Sequence, residues 1–166
     1  MNKTTVRSLT MGAVIAALYT AFTFAFSFMS FGAIQFRVAE ALCVLPVFFP
    51  PAVPGLAVGC LISNVIGVSM GLSFPADIVV GTLATLFAAL LTRKTRGVIV
   101  KGLPLLSLSF PVIFNAIFVG AELTYFLGDP FYMNVLWVGL GELAVCYGLG
   151  IPLAIATNKI SAKFFQ

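Results

Sequence analysis

Four acidic residues, Glu40, Asp77, Glu122 and Glu142, stand within or at the edge of long apolar runs, and the fifth, Asp129, lies in a short polar break. Gln35, Arg37, Asn64 and Asn115 accompany them as multivalent hydrogen-bonding groups. An ionisable group inside a membrane segment costs several kcal/mol, so it normally faces a cavity or a partner. The chemistry these types offer is recognition: carboxylates accept from N–H groups, and Asn, Gln and Arg complete an in-plane pattern of donors and acceptors. Catalysis is poorly supplied. There is no His, no GxSG setting and no metal-ligand cluster, so an intramembrane hydrolase would rest on carboxylates alone. No enzyme activity, catalytic residue, cofactor or metal is expected.

Helical spacing groups the candidates. Asn115 and Glu122 are seven residues apart on one face, with Phe118 and Val119 between them. Asn134, Val138, Gly141, Glu142 and Val145 form a second stripe, with Trp137 beside it as a stacking surface or an interfacial anchor. Arg37 and Glu40, at i and i+3, are placed to pair on a helix. Four carboxylates against one Arg favour a cation or a donor-rich, flat heterocycle if they are ionised, and an anion least of all; burial would instead leave some of them neutral.

The elements that hold these groups follow from composition. The chain is 61% hydrophobic and 8% charged, which is a membrane protein's balance. At about 20 residues per crossing, its length suits six spans in a single transmembrane domain over residues 1–166. They are expected near Leu9–Phe28, Ile34–Phe49, Ala52–Ile66, Ala76–Thr92, Pro104–Phe126 and Asn134–Thr157, divided by a turn at Ser30 to Gly32, "PPAVPG", "GVSMGLSFP", "RKTRG" and "GDP". The first apolar run exceeds the core of a signal peptide, which is about 7 to 15 residues, and is read as an uncleaved span. Cys43, Cys60 and Cys146 sit inside apolar runs and are expected to act as small buried hydrophobes.

Charge orients this arrangement. Lys3, Arg7, Arg93, Lys94, Arg96, Lys101, Lys159 and Lys163 all fall on one side of a six-span chain, which makes that side, and both termini, cytoplasmic. The three opposite loops carry no Lys or Arg, Arg37 is the exception to the pattern, and the carboxylates gather in the outer half. A polar pocket open to the outside is the simplest arrangement. No basic tract suggests a nucleic-acid partner, and the absence of a GxxxxGK[ST] loop means that any ATP-driven role needs a separate motor. In the first span Ala13, Ala17 and Ala21 recur at spacing four, with Gly12 and Ala16 alongside, so another helix, of this chain or of a partner, could approach closely.

"FGAIQFRVAEAL" at 31–42, "FFPPAVPGLAVGCLISN" at 48–64, "DIVVGTLATLFAALLTR" at 77–93 and "VGLGELAVCYGLGIPL" at 138–153 resemble, in order and spacing, the queuosine-precursor transporter family QueT. The resemblance implies an all-α, six-helix membrane bundle of the kind found in substrate-binding S components of energy-coupling factor (ECF) transporters. Such components capture a micronutrient on the outer side of a prokaryotic cell membrane and rely on a transmembrane coupling protein and two ATPase subunits. It implies that Ala13, Ala17 and Ala21 meet the coupling protein. It also implies a 7-deazaguanine ligand: the 7-cyano or 7-aminomethyl base, queuine or its nucleoside. On that basis Glu142 or Glu122 is expected at the guanidine-like edge, Asn115 and Gln35 in plane, Trp137 stacked, and Arg37 with Glu40 at the rim; Asn64 and Asp77 complete the set. The rival is a self-sufficient secondary transporter with Glu122 or Glu142 as proton relay.

Overall fold

The computed structural model describes residues 3–31 and 35–164, with side chains described for 4–31 and 35–159. The expected turn at Gly32 and span start at Ile34 lie outside the described residues, as do the side chains of Lys3 and Lys163. Helices are α1 (Lys3–Ala25), the single turn α2 (Ser27–Ser30), α3 (Ala52–Ser69), α4 (Val80–Lys94), α5 (Leu105–Leu127), α6 (Phe131–Gly148) and α7 (Gly150–Phe164). Two 3-10 helices, Val38–Val47 and Pro75–Ile78, complete the order. Successive long helices run back and forth, so one end of the bundle holds residue 3, the 48–51 and 95–104 connections and residue 159.

Prolines set several of these boundaries. Pro51 and Pro54 open α3, where the first backbone N–H groups have no helical acceptor and a ring does no harm. Pro111, inside α5, cannot donate to the carbonyl of Ser107. That carbonyl instead accepts from the Thr92 hydroxyl of α4 at 3.0 Å, which ties the two helices together. Pro152 obstructs the carbonyl of Gly148 and divides the expected sixth span into α6 and α7 at Leu149.

The largest departure from expectation is at residues 34–49, expected as a transmembrane helix. Residues 35–37 have no helical structure, and Val38–Val47 form a ten-residue 3-10 helix. Among the described residues five helical segments are therefore long and apolar enough to cross a bilayer, not six: Thr4–Ala25, Ala52–Ser69, Pro75–Lys94, Leu105–Leu127 and Phe131–Lys159. Ala39 through Pro46 are all buried. A buried segment takes its solvation from the helices around it and has no need of the α-helical form that lipid imposes. This segment supplies the centre of the bundle, with Leu42, Cys43 and Leu45 packed among Ile15, Tyr19, Leu56 and Cys60, and Val44 against Leu108 and Ala154.

Small residues bring α1 onto α3. A Cβ on Gly59 would lie 2.9 Å from the Ala16 carbonyl oxygen, and one on Gly55 would lie 2.6 Å from that of Gly12. The Gly12 and Ala16 row thus packs internally, whereas Ala13, Ala17 and Ala21 remain exposed. Elsewhere the periphery is apolar, with Leu18, Phe22, Ile62, Val65, Phe87, Ile117, Leu140 and Leu143 all exposed. Polar groups inside and apolar groups outside, on helices of this length, are the pattern of a membrane helical bundle.

Candidate ligand-binding site

Glu40 shows what a satisfied carboxylate looks like in this interior. It stands in the first turn of the central 3-10 helix and is 1% exposed. Its Oε1 accepts from the Tyr19 hydroxyl of α1 and, at 3.0 Å, from Thr85 of α4, while Oε2 accepts from the Cys43 thiol at 2.9 Å. Three elements converge on one side chain, which stitches the 3-10 helix to α1 and α4.

Around and beyond Glu40 the pattern changes. Arg37 is 1% exposed, yet its Nε and Nη2 have no protein acceptor; Nη1 reaches only the Cys60 sulfur at 3.9 Å, and the guanidinium carbon lies 5.6 Å from the centre of the Phe31 ring. Its charged surroundings include Asp77 and Glu40, and Glu122 and Glu142 both feel its field. The side-chain amide of Asn64 donates to the Asp77 backbone carbonyl at 2.7 Å, which leaves its own Oδ1 and the Asp77 Oδ1 without donors. On α5, Asn115 lacks a partner at both amide atoms and Glu122 at both oxygens. On α6, Glu142 Oε2 has only the distant Cys146 thiol at 3.7 Å, and Oε1 has nothing.

Backbone geometry concentrates these groups. Residue 35 crosses α6 so closely that a Cβ on Gly141 would overlap the Gln35 carbonyl, so the small residue is what lets the 35–37 segment lie against the Glu142 face. A Cβ on Gly81 would be 3.0 Å from both Asn64 Nδ2 and Asp77 Oδ1 and 3.8 Å from Arg37 Nη1. Buried polar groups normally find partners, and each one left unpaired costs about 1–3 kcal/mol. So many in one region form a surface prepared to exchange hydrogen bonds with something the fold does not supply.

The family model described as QueT transporter matches residues 9–159. The chain belongs to the QueT transporter family. A curated relative from Lactococcus lactis subsp. cremoris (strain MG1363), "Queuosine precursor transporter QueT", is 29% identical over 154 residues, covering 87% of this chain and 88% of its own. No solved structure gives a significant match. QueT members are transporters rather than enzymes, and with its several long apolar helices this one is a multi-pass membrane protein.

In this QueT family member the structure brings Arg37, Glu40, Asn64, Asp77, Asn115, Glu122 and Glu142 into the buried interior, with Gln35 buried against α6. Asn115, Val119 and Glu122 share the buried face of α5, and Asn134, Val138, Gly141, Glu142 and Val145 that of α6. Trp137 stands off this stripe and is 40% exposed, a placement that suits an interfacial anchor. The Arg37 to Glu40 helical pair takes a different form: Glu40 spends its hydrogen bonds on Tyr19, Thr85 and Cys43, because residue 37 precedes the 3-10 helix. All three cysteines are buried free thiols, but they lie among polar groups and are not merely small hydrophobes. Sequence reasoning missed Tyr19, Thr85 and Phe31. A phenol in mid-span was the available signal for Tyr19, since a buried hydroxyl needs a partner.

Proposed function

We propose that this chain is the membrane-embedded substrate-binding S component of an ATP-driven ECF uptake transporter in a prokaryotic cell membrane, and that it binds a queuosine precursor or related 7-deazaguanine. The observation that carries the proposal is the set of buried, unpartnered groups on Arg37, Asn64, Asp77, Asn115, Glu122 and Glu142. A guanine-like edge presents N–H donors to carboxylates and a carbonyl to Arg or Asn, and it matches such a set in kind. The name of the Lactococcus lactis relative, a queuosine precursor transporter, supports the ligand class. Glu142 reads the guanidine-like edge, Asn115 and Gln35 lie in plane, Arg37, Asn64 and Asp77 line the rim, and Glu40 holds Arg37's segment in place.

Six crossings with cytoplasmic termini are consistent with this geometry. A ten-residue 3-10 helix at about 2 Å per residue, preceded by three non-helical residues, has a length of the order of the roughly 30 Å hydrocarbon thickness. Lys and Arg then fall on the termini's side. Ala13, Ala17 and Ala21 form an exposed row on α1, and Ala13 lines a cavity of about 640 Å³ between α1 and α3, a surface suited to close helix packing with a coupling protein that works with two ATPases.

The test is a titration of purified protein with 7-substituted 7-deazaguanines against guanine, followed by uptake in cells with and without the ATPase module. Tighter binding of the 7-substituted bases, and uptake only with the module, is expected. Equal binding of guanine would overturn the ligand, and uptake without the module would favour a self-sufficient secondary transporter.

A further inference from the structure

We infer that the cavity walled by the 95–104 connection, the end of the central 3-10 helix and the last described turns of α7 is a binding site for an anionic phospholipid, with the phosphate at Lys159 and the upper acyl chains on the apolar walls. The inference stands apart from the reading of the polar interior as a 7-deazaguanine site.

The cavity has a volume of about 450 Å³ and is amphiphilic: Phe48, Leu103 and Ile155 line its apolar part, and Asn158 and Lys159 its polar part. One apolar span begins at Leu105, next to Pro104 of the wall, and another ends at Lys159 itself. The cavity therefore lies where apolar helix surface gives way to polar residues, the level of lipid headgroups. No acidic residue occurs between Asp77 and Glu122 or after Glu142, so nothing in the walls neutralises the exposed Lys159. Its ammonium and the Asn158 amide are donors that phosphate oxygens can accept from.

The connection beside the cavity has the same double character. Val98, Ile99 and Val100 are 44, 50 and 45% exposed, between the exposed cations Arg96 and Lys101. Val100 and Leu103 exchange backbone hydrogen bonds at 2.9 and 3.0 Å, closing a two-residue turn over Lys101 and Gly102 with φ of 51° and 79°. Positive φ is uncommon for a residue with a side chain, and here it sets a cation at the turn. Exposed apolar residues interleaved with cations match neither water nor hydrocarbon alone; they suit the boundary between acyl chains and anionic headgroups. A zwitterionic headgroup would bring its own cation to this uniformly positive end. A free phosphate would leave Phe48, Leu103 and Ile155 uncovered.

The experiment titrates full-length protein in detergent with phosphatidylglycerol and with phosphatidylcholine of the same chains, and counts bound lipid by native mass spectrometry. Phosphatidylglycerol is expected to bind about tenfold or more tightly. Lys159→Gln should lower its affinity about fivefold while leaving that of phosphatidylcholine within about twofold. Lys94→Gln, which removes the same charge outside the cavity walls, should change it by less than about twofold, because screening weakens distant charges. Thermal unfolding near that of the wild type shows that the variants are folded, and the wild-type ratio decides the matter even if one is not. Equal binding of the two lipids overturns the site and leaves this surface to a protein partner. Equal losses in Lys159→Gln and Lys94→Gln overturn it in favour of diffuse attraction, and displacement of the lipid by inorganic phosphate overturns it in favour of a free anion.

Discussion

The two ends of the bundle handle buried polarity in opposite ways. At the end that holds the termini, donors meet protein acceptors: Arg93 Nη1 bonds the Pro46 and Val47 carbonyls at 3.1 and 3.2 Å, Thr92 bonds the Ser107 carbonyl, and Tyr147 bridges Ser109 and the Leu105 carbonyl. These bonds cap the 3-10 helix and repair the carbonyl that Pro111 leaves free. Toward the other end Arg37, Asn64, Asp77, Asn115, Glu122 and Glu142 hold atoms without partners. One end uses polar groups to close the fold; the other withholds them from it. Glu40 lies at the border and belongs with the closing groups.

That contrast can be broken by substitution, and the largest effect is expected at Glu40. Glu40→Ala strands Tyr19, Thr85 and Cys43 around a buried gap, and thermal or denaturant unfolding in detergent should show a loss of about 3–5 kcal/mol. If stability is unchanged, Glu40 belongs with the open groups. Asn115→Leu should act in the reverse sense. Replacing two unpartnered atoms by an apolar side chain of similar shape should leave the unfolding temperature level or raised, while ligand affinity falls about tenfold or more. Lower stability there would mean that Asn115 has a structural partner.

Smaller effects sharpen the comparison. Gly59→Ala forces a Cβ toward the Ala16 carbonyl and should destabilise by about 1–3 kcal/mol, with intrinsic ligand affinity retained by the folded fraction. Arg93→Met removes two bonds from the end of the 3-10 helix and should lower stability by about 1–2 kcal/mol without changing affinity. Thr92→Val, which unpairs the Ser107 carbonyl, should be the mildest, at about 1 kcal/mol by the same unfolding measurement. A change in affinity for either Arg93→Met or Thr92→Val would show that the two ends are not separable.

Much of this division was legible in the residues. Ionisable groups in apolar runs announced the buried polar centre, because lipid excludes them, and the faces of α5 and α6 followed from a period of 3.6 residues. Residues 35–47 were not legible as structure. Their apolar pattern suits an α-helix in lipid and a 3-10 helix in protein equally well, and only burial by the surrounding helices separates the two. The same limit applies to Glu40: its spacing from Arg37 suggested a local pair, whereas two of its three bonds come from residues 21 positions earlier and 45 positions later, and only the Cys43 bond is local. Which small-residue row of α1 packs inward also depended on Gly55 and Gly59 of a different helix.

The sequence by itself determined a membrane-bound, all-helical chain with polar groups gathered toward one end, because the free energy of placing charge in hydrocarbon depends on residue type and depth alone. Only the tertiary structure decided which of those groups are satisfied. A hydrogen bond needs two groups within about 3 Å, and the Tyr19 and Thr85 partners of Glu40, the Thr92 partner of Ser107 and the Arg93 partner of Pro46 all come from other helices.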